Sequence, residues 1–186
     1  MLSAGIVATV ALAPLRALAD FRNPDRSTTQ IVAQPAPDRR GPIFKLCPVD
    51  APRHYIDDFG APRWVGGFHR HQGIDIMAPR GTPIRAPFDG TATSSSSWAG
   101  GLQVRVEGRR GLVFNAHLSK IGKMGKVRAG TIVGYVGNSG DAAGGPTHDH
   151  FEWHPGTPPT NPWVSPMGVS GVGSAVDPYP YLRAVC

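Results

Sequence analysis

At 186 residues, with 40% hydrophobic and 17% charged residues, the chain has room for one domain with a real core and not for two catalytic ones. Its formal charge of +6 includes +3 from residues 1–46, where six Arg and Lys face three Asp, so the remainder carries only the other +3. That mild basicity, with no aromatics interleaved among the basic residues, argues against a nucleic-acid platform.

The chain opens with an apolar and small run over residues 2–12, followed by Ala17-Leu18-Ala19 before Asp20. It resembles the hydrophobic region and A-x-A cleavage site of an export signal. The run is short for a membrane span and is broken by Pro14 and Arg16. No Lys or Arg precedes it, so an uncleaved anchor and a short buried helix stay open beside the favoured reading, a signal peptide over residues 1–19. Residues 20–46 are polar and interrupted by Pro24, Pro35, Pro37 and Pro42, which predicts a linker. The folded domain is then expected over residues 47–186, a monomer with no transmembrane span in the mature chain. Only Cys47 and Cys186 occur, one near each end of that domain, and an exported protein can tie them together.

Beyond Cys47 short β-rich stretches alternate with glycine and proline. Strands are expected at 74–78, 82–86, 90–93, 102–107, 111–117, 131–136 and 148–153, and helix signals are nearly absent. This pattern predicts an all-β fold, a single compact β-sandwich or barrel-like domain with long glycine-rich loops. The serine-rich run Thr93 to Gly101 reads as a flexible loop, with Trp98 either a stacking surface beside a groove or part of an ordinary hairpin connection. A second loop, Asn138 to Pro146, brings its glycines up to a histidine pair. The Pro- and Gly-rich stretch from Pro155 to Gly173 is expected to wrap the surface. Lys120, Lys123, Lys126 and Arg128 form a basic cluster that suits a polyanion such as a wall polymer, although a solvated face is the commoner explanation.

Five residues stand out chemically. His71 and Asp75 flank Gly73 in a β-prone segment, and a four-residue offset on a strand points both to one face. His148 and His150, two apart in another strand-like run, share a face, with Phe151 and Trp153 on the other. His117 lies between the pairs in sequence. Imidazole nitrogens with one carboxylate suit zinc, and three protein ligands leave a fourth tetrahedral position for water. Any single pair is more simply a satisfied core or surface pair; convergence of both pairs with His117 favours a hydrolytic site. His69 also lies at an even offset from Asp75, so periodicity alone leaves it a candidate. With two glutamates and no H-E-x-x-H, a helical zinc protease with a glutamate base is excluded.

In order and spacing, Asp58–Arg63, His71-Gln72-Gly73-Ile74-Asp75, Ala78-Pro79-Arg80-Gly81-Thr82-Pro83, Ala116-His117-Leu118-Ser119, 127–137 and His148-Asp149-His150-Phe151-Glu152 resemble the lysostaphin/LytM-type zinc peptidoglycan endopeptidases. The resemblance covers about residues 55–155. It implies that His71, Asp75 and His150 bind Zn2+, that His148 and His117 assist catalysis, and that the substrate is peptidoglycan stem or cross-link peptides outside the cytoplasm, in association with the cell wall. It also leaves His69, His54 and His154 as surface residues. The chain departs from the pattern at Asp149, where the family has leucine, at Asn115, where a tyrosine is common, and in one extra residue in the loop before His148. A non-catalytic wall-binding module or activator on the same fold is the rival reading. A lipoyl-type carrier fares worse, for the expected exposed lysine between methionines is missing.

Overall fold

The structure, a computed structural model, describes residues 41–186. Thirteen strands follow in chain order: β1 (Pro62–Arg63), β2 (His69–Arg70), β3 (Ile74–Met77), β4 (Pro83–Arg85), β5 (Gly90–Ser97), β6 (Gly101–Gly108), β7 (Gly111–Leu118), β8 (Lys120–Ile121), β9 (Gly125–Val127), β10 (Ile132–Tyr135), β11 (His148–His154), β12 (Gly171–Val172) and β13 (Ala175–Val176). A six-stranded antiparallel sheet has the order β3-β11-β7-β6-β5-β9, and a three-stranded sheet the order β4-β10-β8. Ile84 and Val133 of the small sheet join Val104, Val106, Phe151 and Trp153 of the large one in a single apolar cluster. The sheets are open rather than closed into a barrel, with β3 and β9 at the edges of the larger.

Strand β11 shows why the site forms where it does. Its residues alternate strictly, half-buried and buried, from His148 to His154. Phe151 and Trp153 supply the core and fix the register, because a one-residue slip would drive the histidines inside. The even-numbered residues are thereby held together on the opposite face.

Three expectations change. The run Thr93 to Gly101 is not a flexible loop. Ser94 to Ser97 continue β5 and pair with Val104 to Gly101 of β6, leaving only the turn Trp98-Ala99-Gly100. The weak strand propensity of serine is overridden by the ladder, and side chains add to it: Ser95 Oγ donates to Gln103 Oε1 (3.0 Å), and Gln103 Nε2 to Ser97 Oγ (2.6 Å). A short helix, α1 (Tyr179–Arg183), follows Asp177, whose Oδ1 accepts the Tyr179 N–H at 2.9 Å. Of the linker expected at 20–46, residues 41–46 are described, and there Phe44 is 1% exposed. It packs edge-on against Phe151, Trp153 and Tyr181, so the core begins ahead of Cys47. The expected signal segment 1–19 and the rest of the linker lie outside the described residues. A disulfide joins Cys47 to Cys186 across 139 residues of sequence. The basic cluster Lys120, Lys123, Lys126 and Arg128 is exposed throughout. No described helix is long and apolar enough to cross a membrane.

Candidate metal centre

Asp75 lies on β3, directly opposite His150 of β11 in the strand register. His71 lies just ahead of β3 rather than on it. Its backbone extends the β1–β2 hairpin, with His71 N donating to Ala61 O (2.9 Å) and Gly60 N to His71 O (2.8 Å). Gly73 permits the turn between them: a Cβ there would collide with the Phe151 carbonyl and come within 3.1 Å of His150 Cε1.

These elements bring three donor atoms to one point. His71 Nε2 lies 2.8 Å from His150 Nδ1 and 3.1 Å from Asp75 Oδ1, and the last two are 3.2 Å apart. A tetrahedral ion with bonds of about 2.0–2.1 Å has ligand–ligand edges of roughly 3.3 Å. The triangle matches that spacing, and two imidazoles with one carboxylate form a donor set of the zinc type. Among the described residues it is the one cluster of three or more His, Cys, Asp or Glu placed to hold a metal.

Each donor is fixed from behind. His71 Nδ1 lies 3.1 Å from the Asp58 carbonyl and from Asp58 Oδ2, which leaves Nε2 for the ion. Arg63 Nη2 donates to Asp75 Oδ2 (2.7 Å) and Asp58 Oδ2 (2.8 Å), which leaves Asp75 Oδ1 free. His150 Nε2 donates to Glu152 Oε1 (2.8 Å), and His154 Nε2 lies 2.6 Å from Glu152 Oε2. Such outer partners set the tautomer and raise ligand basicity. Asp58, Arg63 and Glu152 are therefore site residues that the sequence reading quoted only as framework. His154, expected at the surface, is tied to the site through Glu152. His69 is exposed, and its Nδ1 bonds the Gly67 carbonyl.

Electrostatics follow the contacts. Burial pulls the His150 imidazole down, but Asp75 and Glu152 outweigh it and carry it to about 10. Burial also opposes protonation of His71, and hydrogen bonds to Asp58 and Asp75 raise it nonetheless. Asp75 is held well below the usual carboxylate range: burial would raise it, and the bonds from His150 and His71 prevail. Glu152 is likewise lowered, to about 2, against its burial, by His150 and His154.

His117 and His148 complete the cluster. Their rings lie 4.9 Å apart, and His148 Nε2 is 3.9 Å from Asp75 Oδ1. His148 Nδ1 bonds the Pro146 carbonyl (3.0 Å) and His117 Nδ1 the Ser139 carbonyl (2.9 Å), so each turns Nε2 toward the centre. Strict alternation would send His117 into the core with Asn115. Instead the β6–β7 register shifts between Leu102 and Val104, and His117 takes φ 62°. This bulge at a non-glycine residue re-aims the imidazole onto the site face, at a cost in backbone strain. Burial pushes the His117 imidazole down, against the Ser139 carbonyl.

Asp149 faces the other way. It is fully buried in the core, and burial pushes its carboxyl well up. Neither its oxygens nor the amide of buried Asn115 has a hydrogen-bond partner.

The sequence model of peptidase family M23 matches residues 69–162, half of the chain, and takes in all five histidine and aspartate positions. The chain belongs to peptidase family M23. This M23 chain is 39% identical over 95 residues to the DD-carboxypeptidase/endopeptidase Mpg of Neisseria meningitidis serogroup B, a match covering 50% of the chain and 22% of that protein. It is 28% identical over 149 residues to the L-Ala–D-Glu endopeptidase of Bacillus subtilis, covering 74% and 42%. The M23 chain thus matches about a fifth to two-fifths of the length of these two relatives. A variant of the catalytic domain of the prophage-encoded M23 protein EnpA from Enterococcus faecalis superposes with a TM-score of 0.51 and 33% identity, over 73% of this chain and 95% of that one. M23 peptidases are metallopeptidases, in keeping with the donor triangle.

Proposed function

We propose that this M23 chain is an exported zinc endopeptidase that hydrolyses peptide bonds in bacterial peptidoglycan. The observation that carries the reading is the triangle of His71 Nε2, Asp75 Oδ1 and His150 Nδ1, faced by two further histidines that both present Nε2. Wall peptides are supported by the activities for which the two relatives above are named. Export is supported by the Cys47–Cys186 bridge, since such bonds persist in oxidising compartments. The domain is assigned to residues 47–186 together with Ile43 and Phe44, preceded by a signal peptide over 1–19 and a linker.

His71, Asp75 and His150 hold the ion in this reading. When bound, zinc polarises the scissile carbonyl and acidifies a water to a pKa of about 7. His148, whose Nδ1 is anchored on Pro146 O, takes a proton at Nε2 from the attacking water and returns it to the leaving amine. His117 donates from Nε2 to the oxyanion. With Nδ1–H already on Ser139 O, it does so as an imidazolium that has taken its second proton from solvent at Nε2 and returns it as the oxyanion collapses, a form that burial disfavours until negative charge develops opposite it.

The test is bound zinc and digestion of purified sacculi for the native chain beside His150→Ala and His148→Ala. His150→Ala is expected to lose both metal and digestion, and His148→Ala to keep metal and lose digestion. If both variants digest as well as the parent, the peptidase reading fails and the wall-binding module replaces it.

A further inference from the structure

Two loops carry large aromatic rings into solvent. Trp64 is 72% exposed, Phe68 62% and Trp98 70%. Trp64 and Phe68 stand 5.0 Å apart on the loop that closes the β1–β2 hairpin. The backbone of that loop touches the third ring, for a Cβ on Gly66 would lie 3.1 Å from Trp98. Trp64 and Phe68 thus form a ring pair and Trp98 lies beside the backbone of the same loop, so the three exposed side chains are neighbours, unlike the scattered apolar residues that any surface shows.

Both loops are tied to the candidate metal centre through residues next to the rings. Arg63, next to Trp64, bonds Asp75. Gly100, two residues past Trp98, accepts the His117 N–H at 2.7 Å. A 490 Å³ cavity lined by Arg105, Leu112, Phe114, Glu152 and His154 lies toward the far end of β11. The candidate site thus has a charged, concave side and an uncharged aromatic side.

We propose that the Trp64–Phe68–Trp98 cluster is a stacking surface for the glycan strand of the wall. The inference rests on the peptidoglycan reading and adds the part of the polymer that is not hydrolysed. A chair pyranose exposes a flat face of C–H groups that packs on an indole, while its hydroxyls stay in water or bond neighbouring polar groups. The cluster fits that chemistry. Between Arg63 and His69 the loop reads Trp-Val-Gly-Gly-Phe, and Trp98 is preceded by four serines and followed by Ala99 and glycines, so neither loop carries a charge of its own between Arg63 and His69 or around Trp98. A charged stem peptide finds its complement on the other side, at Arg105 in the cavity wall.

Soluble β-1,4-linked N-acetylglucosamine oligomers are the probe. Trp153 is buried and Trp163 is bonded to Asp57, so ligand-dependent change in tryptophan emission reports Trp64 and Trp98. Titration of the zinc-loaded chain is expected to give a saturable change. Trp98→Ala and Trp64→Ala each weaken it roughly tenfold, with bound zinc unaltered. On sacculi the same variants raise KM with kcat kept, while glycan-free cross-linked peptides released from those sacculi are cut as before. No saturable response overturns the proposal. So does an equal rise in KM on the glycan-free peptides, or a native dimer that the variants dissociate, which would make the cluster a peptide site or a self-association face. If oligomers bind but sacculi are never digested, the glycan surface stands and the peptidase reading falls. If sacculi are digested without oligomer binding, the reverse holds.

Discussion

Strand β11 has two faces that treat polar side chains in opposite ways. On the outer face His148, His150, Glu152 and His154 each have a stated partner, down to which ring nitrogen is used. On the inner face Asp149 is sealed between Phe151 and the core with no partner at all. The comparison separates two kinds of cost. Outer-face polar groups gather at the candidate metal centre and are satisfied by one another, whereas the inner carboxyl costs stability and contributes no donor to that centre.

Breaking the outer face gives the largest effect. Glu152→Ala removes the acceptor of the His150 Nε2–H and frees His154, and is expected to weaken zinc binding about 100-fold, the upper end for loss of an outer partner. Equilibrium zinc titration measures it; an unchanged affinity would mean that the ring is held by packing alone. Relieving the inner face acts in the opposite sense. Asp149→Leu is expected to stabilise the fold by about 1–2 kcal/mol in denaturant melts while leaving zinc content alone. A destabilised variant would show that Asp149 has a bonded partner in solution.

The two carboxyls also give opposite pH slopes in the metal-free chain. Glu152 is lowered in the fold to about 2, so its stabilisation is complete above about 4.5, the ordinary glutamate value, and is lost as pH falls toward 2. Asp149 is raised, so the folded state holds its proton more tightly and stability declines as pH climbs above the ordinary aspartate value. In thermal melts across pH, Glu152→Gln should flatten the acid limb and Asp149→Leu the other. If either substitution flattens the wrong limb, the sign assigned to that face is wrong.

What was legible in the sequence divides along the same lines. The spacing of His148 with His150 is local and carries their shared facing on β11, whereas His71 meets Asp75 through the turn at Gly73 and not through a strand offset. The alternation of Phe151 and Trp153 with the histidines carries the fold of β11. The bulge at His117 was not legible, because no glycine marks its left-handed backbone and the extra residue is defined only by pairing with β6. The serine strand was hidden for a related reason: Ser94–Ser97 have little strand preference of their own and are ordered by the ladder to β6. Asp58, Arg63 and Glu152 are ordinary charged residues until their long-range partners are known. Phe44 looked like part of a proline-broken linker, although its ring closes the core against Tyr181.

The central claim is that His71, Asp75 and His150 share one ion. In the metal-free chain Asp75 and Glu152 carry His150 to about 10 against its burial, so at neutral pH it holds a proton that a cation must displace. Calorimetric zinc titration at pH 7 in buffers of different ionisation enthalpy measures this directly. One ion per chain is expected, with about one proton released from His150, and neither tight binding nor that release in His150→Ala. A His150→Ala chain that takes up the ion as tightly, with the same proton release, would place the metal elsewhere and contradict the account.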